Sequence, residues 1–268
     1  MYRKCKQDTE FGLHPSHTIL SGKSKFILKK FEFVYRNHLE PFNREVSNLI
    51  VEEYTGLSEA FECSIFAIVD GFGDHYCKEF IKRKLIDKIR EGFIGLEESS
   101  YCFQHINKAI MKAFIEVDRD YIITNPYDCK NSAAIINMIL VLGHQIIAIN
   151  LGNCRSFLVR GGEVIELTLK HEKTRRMELE RLERSCTDNI IQKEKGFKFT
   201  RCFGMTDYKK LPEDMGVEIV SDFKEPYCNP APEIWLANIK GNENFLLMGN
   251  HEFWRSIKIK NLFPLITS

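Results

Sequence analysis

The sequence predicts an α+β fold, layers of antiparallel sheet with helices gathered outside them, and three observations carry that prediction. Apolar, strand-like segments come in adjacent pairs joined by tight turns. Ser132–Leu142 and Gln145–Asn150 flank Gly143-His144, and Gly152–Val159 and Val164–Leu167 flank Arg160–Glu163. Ile234–Ile239 and Asn244–Met248 flank Gly241-Asn242. Paired strands with short polar turns are hairpins, and helices grouped between hairpins indicate stacked layers instead of a Rossmann alternation.

The elements follow in chain order. Residues 1–20 are polar and rich in His, Pro and Ser, and read as a flexible arm ahead of a single domain over 21–268. Phe26–Tyr35 is aromatic and β-branched and reads as a strand. Ser64–Val69 is an apolar run ending at Asp70-Gly71, which reads as a buried strand entering a turn. From His75 to Phe93, Phe80, Ile81, Leu85, Ile86 and Ile89 recur at helical spacing with Lys and Arg between them. This predicts an amphipathic helix with a solvated basic face. A second helix is expected over about 101–121, with Ile106, Ile110, Ala113, Phe114 and Val117 on its apolar side. Lys173–Arg184 reads as a highly charged helix, and another helix starts at Phe253.

Composition narrows the function classes. With 268 residues, 44% hydrophobic and 28% charged, the chain can bury the core of one globular domain. Its net charge of +1, from 38 basic and 37 acidic residues, creates no global field for nucleic acid or membrane. No run approaches the ~20 apolar residues of a membrane span, and the start lacks a secretory core. The nine cysteines are scattered without a Cys-x-x-Cys pair. Reduced thiols in the cytoplasm or nucleus are therefore expected instead of a zinc site or disulfide framework.

Four blocks carry the chemistry: Ser64–Asp74 (SIFAIVDGFGD), Ile149–Leu158 (INLGNCRSFL), Lys198–Lys209 (KFTRCFGMTDYK) and Phe245–Arg255 (FLLMGNHEFWR). Their order, spacing and apolar framing resemble the metal-dependent type 2C (PPM) protein serine/threonine phosphatases. That family shows roughly FAVFDGHGG, ANVGDSRAVL, LAVSRALGDxxYK and FLILASDGLWD in these places. The resemblance implies a four-layer α-β-β-α sandwich of two mainly antiparallel sheets over about residues 20–257. It also implies two divalent cations held largely by aspartates between the sheets. Two cations about 3.5–4 Å apart need several anionic ligands to offset their repulsion, and hard ions such as Mg²⁺ or Mn²⁺ select oxygen donors.

Mapped onto the family pattern, the blocks keep their shape and lose their carboxylates. Asp70 matches a metal-ligand aspartate, and the Gly71 carbonyl offers a second oxygen. The motif's His is Phe72, which implies a drier, partly plugged cleft, and Asp74 stands where a second Gly is usual. The ligand aspartate of the fourth block maps onto His251, and the acidic residue after Trp254 is Arg255. In the third block the acidic position is Met205. The amino-terminal Glu-Asp pair maps onto Leu28 and Lys29. An ammonium ~4 Å from a dication costs at most about 8 kcal/mol at an effective dielectric of ~20. The sequence stops soon after Trp254, so the family's C-terminal segment, with its further ligand aspartate, is expected to be missing.

Asp70 and Gly71 thus remain as a vestigial metal site, and Lys29, His251 and Arg255 could instead make the cleft attractive to phosphate. The expected function is a pseudophosphatase: a binding or regulatory module without turnover and without a bound cofactor. Its partner is expected to be a protein, such as a phosphoprotein or a kinase. The alternative is a weakly active or rewired phosphatase working with a single Mg²⁺ or Mn²⁺ and drawing on Asp70, Asp74, His251 and Glu252. His171 is expected to fix a loop, Gly152 and Arg155 to serve a turn and its hydrogen bonds, and Trp254 to lie in the core.

Overall fold

A computed structural model describes residues 11–15, 20–22, 25–27, 31–34, 48–55, 62–74, 76–94, 103–142, 144–185, 199–209 and 227–256. The strands are β1 (Phe11–Pro15), β2 (Leu20–Gly22), β3 (Lys25–Ile27), β4 (Phe31–Val34), β5 (Asn48–Thr55) and β6 (Glu62–Phe72). They continue as β7 (Ala133–Leu142), β8 (Gln145–Leu151), β9 (Arg155–Arg160), β10 (Glu163–Glu166), β11 (Phe203–Gly204), β12 (Glu233–Asn238) and β13 (Glu243–Gly249). The helices are α1 (Tyr76–Ile94), α2 (Phe103–Thr124), α3 (Arg176–Ser185) and α4 (His251–Ser256).

Two antiparallel sheets form the centre. One has the order β10-β9-β13-β1-β4 and the other β12-β8-β7-β6-β5, with β11 added to β7. Side chains alternate across a strand, so each inner strand feeds two cores. Ile65, Ala67 and Val69 of β6 pack under α1 and α2 with Ile81, Leu85, Ile110 and Phe114. Phe66 and Ile68 face the other way and meet Leu158, Leu246 and Met248 of the opposite sheet. Burial on both faces explains why β7 is buried at all ten positions and reads as an unbroken apolar run. Beyond the second sheet, Trp254 of α4 packs on Phe157, Val159, Phe245 and Leu247. The layers are helix, sheet, sheet, helix, as the family resemblance implied. Each fully buried Ile, Leu or Phe contributes roughly 1.5–3 kcal/mol through removal from water.

Four segments differ from the sequence reading. Ile234–Ile239 and Asn244–Met248, read as strands paired across a tight turn, do not pair with each other: β12 joins β8 in one sheet, and β13 lies between β9 and β1 in the other. Phe11–Pro15, read as part of an arm, is a strand between β13 and β4. Asn48–Thr55 was not anticipated, because Glu52 and Glu53 interrupt its apolar alternation, yet all eight of its residues pair with Glu62–Val69 of β6. Asp70-Gly71 does not turn: Asp70, Gly71 and Phe72 stay in register with Ile135, Ala134 and Ala133. The small residues of β7 let the ladder run on, and the chain turns at Gly73. There φ is +83°, and a Cβ would lie 1.9 Å from the Asn131 carbonyl oxygen. Phe26–Tyr35 is partly strand, as β3 and β4, with Leu28, Lys29 and Lys30 between them outside the described residues.

Candidate functional site

The alternation that buries Phe66 and Ile68 between the sheets also directs Asp70, at the end of β6, into the inter-sheet space. The end of β13 arrives there from the other sheet. Asn250 Nδ2 donates to Asp70 Oδ2 at 3.3 Å. The same side chain starts α4, its Oδ1 accepting from the Phe253 N–H at 3.0 Å, which is a helix N-cap. Block one and block four are thus joined through one asparagine. Burial pushes the Asp70 carboxyl up, against the pull of the Asn250 hydrogen bond, the Lys78 charge and the Gly71 N–H, while Glu252 adds to the rise.

The residues mapped onto former ligand positions are dispersed. His251 is partly buried with Nδ1 3.8 Å from Glu172 Oε1, and Glu172 also lies 3.4 Å from Lys170. The Arg255 side chain is 72% exposed and 3.8 Å from Glu252. An anion at this corner would meet the Glu172 and Glu252 carboxylates as well as His251 and Arg255. Met205 is buried among Ala133, Ile135, Phe199 and Cys202, with a left-handed backbone at φ 57°. Leu28 and Lys29 lie outside the described residues. Asp74 serves the fold: its Oδ1 accepts from the Tyr76 N–H at the start of α1. Phe72 does not plug a pocket, since it is 51% exposed and packs edge-on against Phe199 at 5.9 Å.

Other anticipated roles are present. The His171 N–H donates to the Gly152 carbonyl at 2.8 Å, and the Gly152 N–H donates to His171 Nδ1 at 3.0 Å. Gly152 sits at φ +109°, with a would-be Cβ 2.4 Å from Ile135. Arg155 Nε donates to Glu166 at 2.7 Å, and Trp254 Nε1 donates to the Gly249 and Arg155 carbonyls. Cys129, whose sequence neighbours are polar, is fully buried, and burial pushes its thiol up.

A second acidic centre was not anticipated. Among the described residues, one group of three or more His, Cys, Asp or Glu side chains brings its ligand atoms within 4.8 Å: His171, Glu178 and Glu233. Glu178 accepts from Arg201 Nε at 2.9 Å and from Thr200 Oγ1 at 2.6 Å, with Arg181 at 3.3 Å. Glu233 accepts from Arg175 at 2.6 Å and faces His171 Nε2 at 3.4 Å. Burial raises both carboxyls, but Arg201 and Thr200 outweigh it at Glu178 and His171 and Arg175 at Glu233, holding each at about 2. Burial pushes His171 down toward its neutral form. Three guanidinium groups already supply the positive charge a metal would bring, so this is an ion-pair knot joining α3, block three and β12. Arg175, Glu178 and Arg181 were read as part of a highly charged helix, and His171 as fixing a loop. The signal was the i, i+3 pairing of Glu178 with Arg181.

Protein phosphatase 2C is the family whose model matches residues 42–268, and the chain belongs to that family. It is 23% identical over 204 residues to "Probable protein phosphatase 2C 27" of Arabidopsis thaliana, which is 74% of this chain and 49% of that protein. It is 20% identical over 236 residues to "Probable protein phosphatase 2C 28" of the same plant, 86% of this chain and 62% of that one. The chain therefore spans about half to under two-thirds of the length of these relatives. Among solved structures, a serine-threonine phosphatase 2C from Toxoplasma gondii superposes with a TM-score of 0.58 at 11% identity, covering 82% of both chains. A C. elegans sex determining protein also gives 0.58, at 14% identity, over 82% of this chain and 54% of that one. These structural likenesses show the fold.

The family normally depends on Mg²⁺ or Mn²⁺. The described residues do not fit a two-cation centre. One carboxylate, Asp70, faces the inter-sheet space with the Gly71 carbonyl beside it, and one Asp70 oxygen is occupied by the Asn250 amide N–H. His251 points to Glu172 and Met205 to an apolar cluster. Among the described residues, no helix is long and apolar enough to cross a membrane.

Proposed function

We propose that this type 2C phosphatase domain is a pseudophosphatase: it keeps the family fold as a binding or regulatory module and does not turn over phosphoprotein. Its partner in this reading is a phosphoprotein, a kinase or a protein served by a catalytic relative. The observation that carries the reading is Asp70 paired with an amide N–H donor, where ion-assisted phosphoryl transfer needs a set of anionic ligands. An ammonium, an imidazole or a thioether at the remaining mapped positions cannot supply that set at Lys29, His251 and Met205. The test is hydrolysis of a small aryl phosphate and of phosphopeptides by the purified chain with Mg²⁺ or Mn²⁺. No turnover above background is expected. Mn²⁺-dependent turnover that disappears in Asp70→Ala overturns the reading.

One observation favours the single-ion alternative. Glu252, although exposed, is near enough for its charge to add to the rise of the Asp70 carboxyl. Loss of any Mn²⁺-dependent turnover in Glu252→Gln as well as in Asp70→Ala would establish that alternative.

A further inference from the structure

Lys78 belongs to the first turn of a helix whose lysines and arginines are expected to face water. It is instead 2% exposed. Lysine is almost never buried so completely without a compensating group. Helical spacing explains its position: Lys78, Ile81, Leu85 and Ile89 fall at i, i+3, i+7 and i+11, and the last three are core residues. Its stem lies along the backbone of Gly71. A Cβ added to Gly71 would stand 3.2 Å from Lys78 Cβ and 3.4 Å from Cδ, so the absent side chain makes room for the lysine. The neighbouring Asp70 feels the Lys78 charge, which favours the ionised carboxylate against burial, although no hydrogen bond joins the two groups.

We propose that Lys78 is the resident cation of the Asp70 corner, a tethered ammonium supplying the positive charge that a metal ion brings to catalytic members of the family. The reasoning is electrostatic and local. A buried carboxylate requires a neighbouring positive charge or several donors, and Asp70 has the Asn250 amide at 3.3 Å and the Gly71 N–H. The lysine stem runs from α1 over Gly71, the residue whose carbonyl would be a second metal ligand. A dication approaching Asp70 and that carbonyl is then repelled by a charge it cannot displace, because a helix anchors the stem. The proposal rests on the corner being free of paired ions. Stability, not turnover, tests it, so the two readings fail separately.

The experiment compares melting temperatures of the wild-type chain, Lys78→Met, Asp70→Asn and the double variant, each with and without millimolar MnCl₂. Methionine keeps most of the stem and removes the charge. Each single variant is expected to melt several degrees lower, and the double variant to lose less than half of the summed single losses. Mn²⁺ is expected to raise the melting temperature of Lys78→Met and to leave the wild type, Asp70→Asn and the double variant unchanged. Additive losses overturn the proposal. So does a Lys78→Met protein indifferent to Mn²⁺, or a wild type stabilised by Mn²⁺ as much as that variant. Where Lys78→Met does not fold, recovery of folding in the double variant upholds the proposal, and its failure to fold overturns it.

Discussion

Glu178 and Asp70 are both carboxylates held inside this sandwich, and their surroundings drive them in opposite directions. Glu178 is the more enclosed, its side chain 1% exposed, yet it stays ionised because Arg201, Thr200 and Arg181 all donate to it. Asp70 takes the Asn250 amide N–H at 3.3 Å, the Gly71 N–H and the unbonded charge of Lys78, and burial still raises its carboxyl. Depth therefore does not decide the charge of a buried acid; the number and charge of its donors do. The family normally depends on Mg²⁺ or Mn²⁺, cations that would supply the positive charge such a carboxylate needs. Here the protein's own side chains fill the role fully at one acidic centre and sparsely at the other.

The largest effect should come from breaking the richer centre. Glu178→Gln takes the shared carboxylate away from Arg201 and Arg181, leaving Arg201 with Glu233 at 3.5 Å, and urea denaturation should show a loss of about 3–5 kcal/mol. A loss below about 1 kcal/mol would make the knot incidental to stability.

Acid should then separate the two centres. The Glu178 and Glu233 carboxyls are lowered in the folded state from 4.5 to about 2. Their stabilisation is fully present above pH 4.5 and lost as pH falls through 2. A drop from 4.5 to about 2 corresponds to on the order of 3 kcal/mol for Glu178. In Glu178→Gln that part of the acid dependence should vanish in stability measurements across this window.

A smaller effect is expected at the poorer centre. Asn250→Ala removes both the α4 N-cap and the bond to Asp70, for a loss of roughly 1–2 kcal/mol by thermal or urea unfolding. Arg255→Ala, which removes an exposed ion pair with Glu252, should change stability by no more than about 0.5 kcal/mol.

Much of the architecture was legible because its signals are local. The hairpins at residues 142–145 and 160–163 follow from turn residues between apolar runs, and α1 and α2 from helical spacing, whereas the turn at Gly241-Asn242 carries the chain from one sheet to the other. Asn48–Thr55 was not, because its acidic pair, Glu52 and Glu53, breaks the alternation. The motif blocks located Asp70 and predicted its meeting with block four, but Asn250, not His251, makes the contact. Lys78 was read by residue type as solvated, although its spacing from Ile81 and Leu85 placed it on the buried stripe. The Glu178 knot escaped notice because its members, Arg175, Glu178, Arg181, Arg201 and Glu233, are spread along the sequence. Only the folded chain brings them together.

The claim with most depending on it is that the corner between the sheets offers too few anionic ligands for paired ions. Calorimetric titration of the purified chain with Mn²⁺ tests it most directly. The account predicts no saturable heat assignable to the Asp70 corner, with identical titrations for wild type and Asp70→Ala. Two saturable ions per chain, both lost in Asp70→Ala, would contradict it.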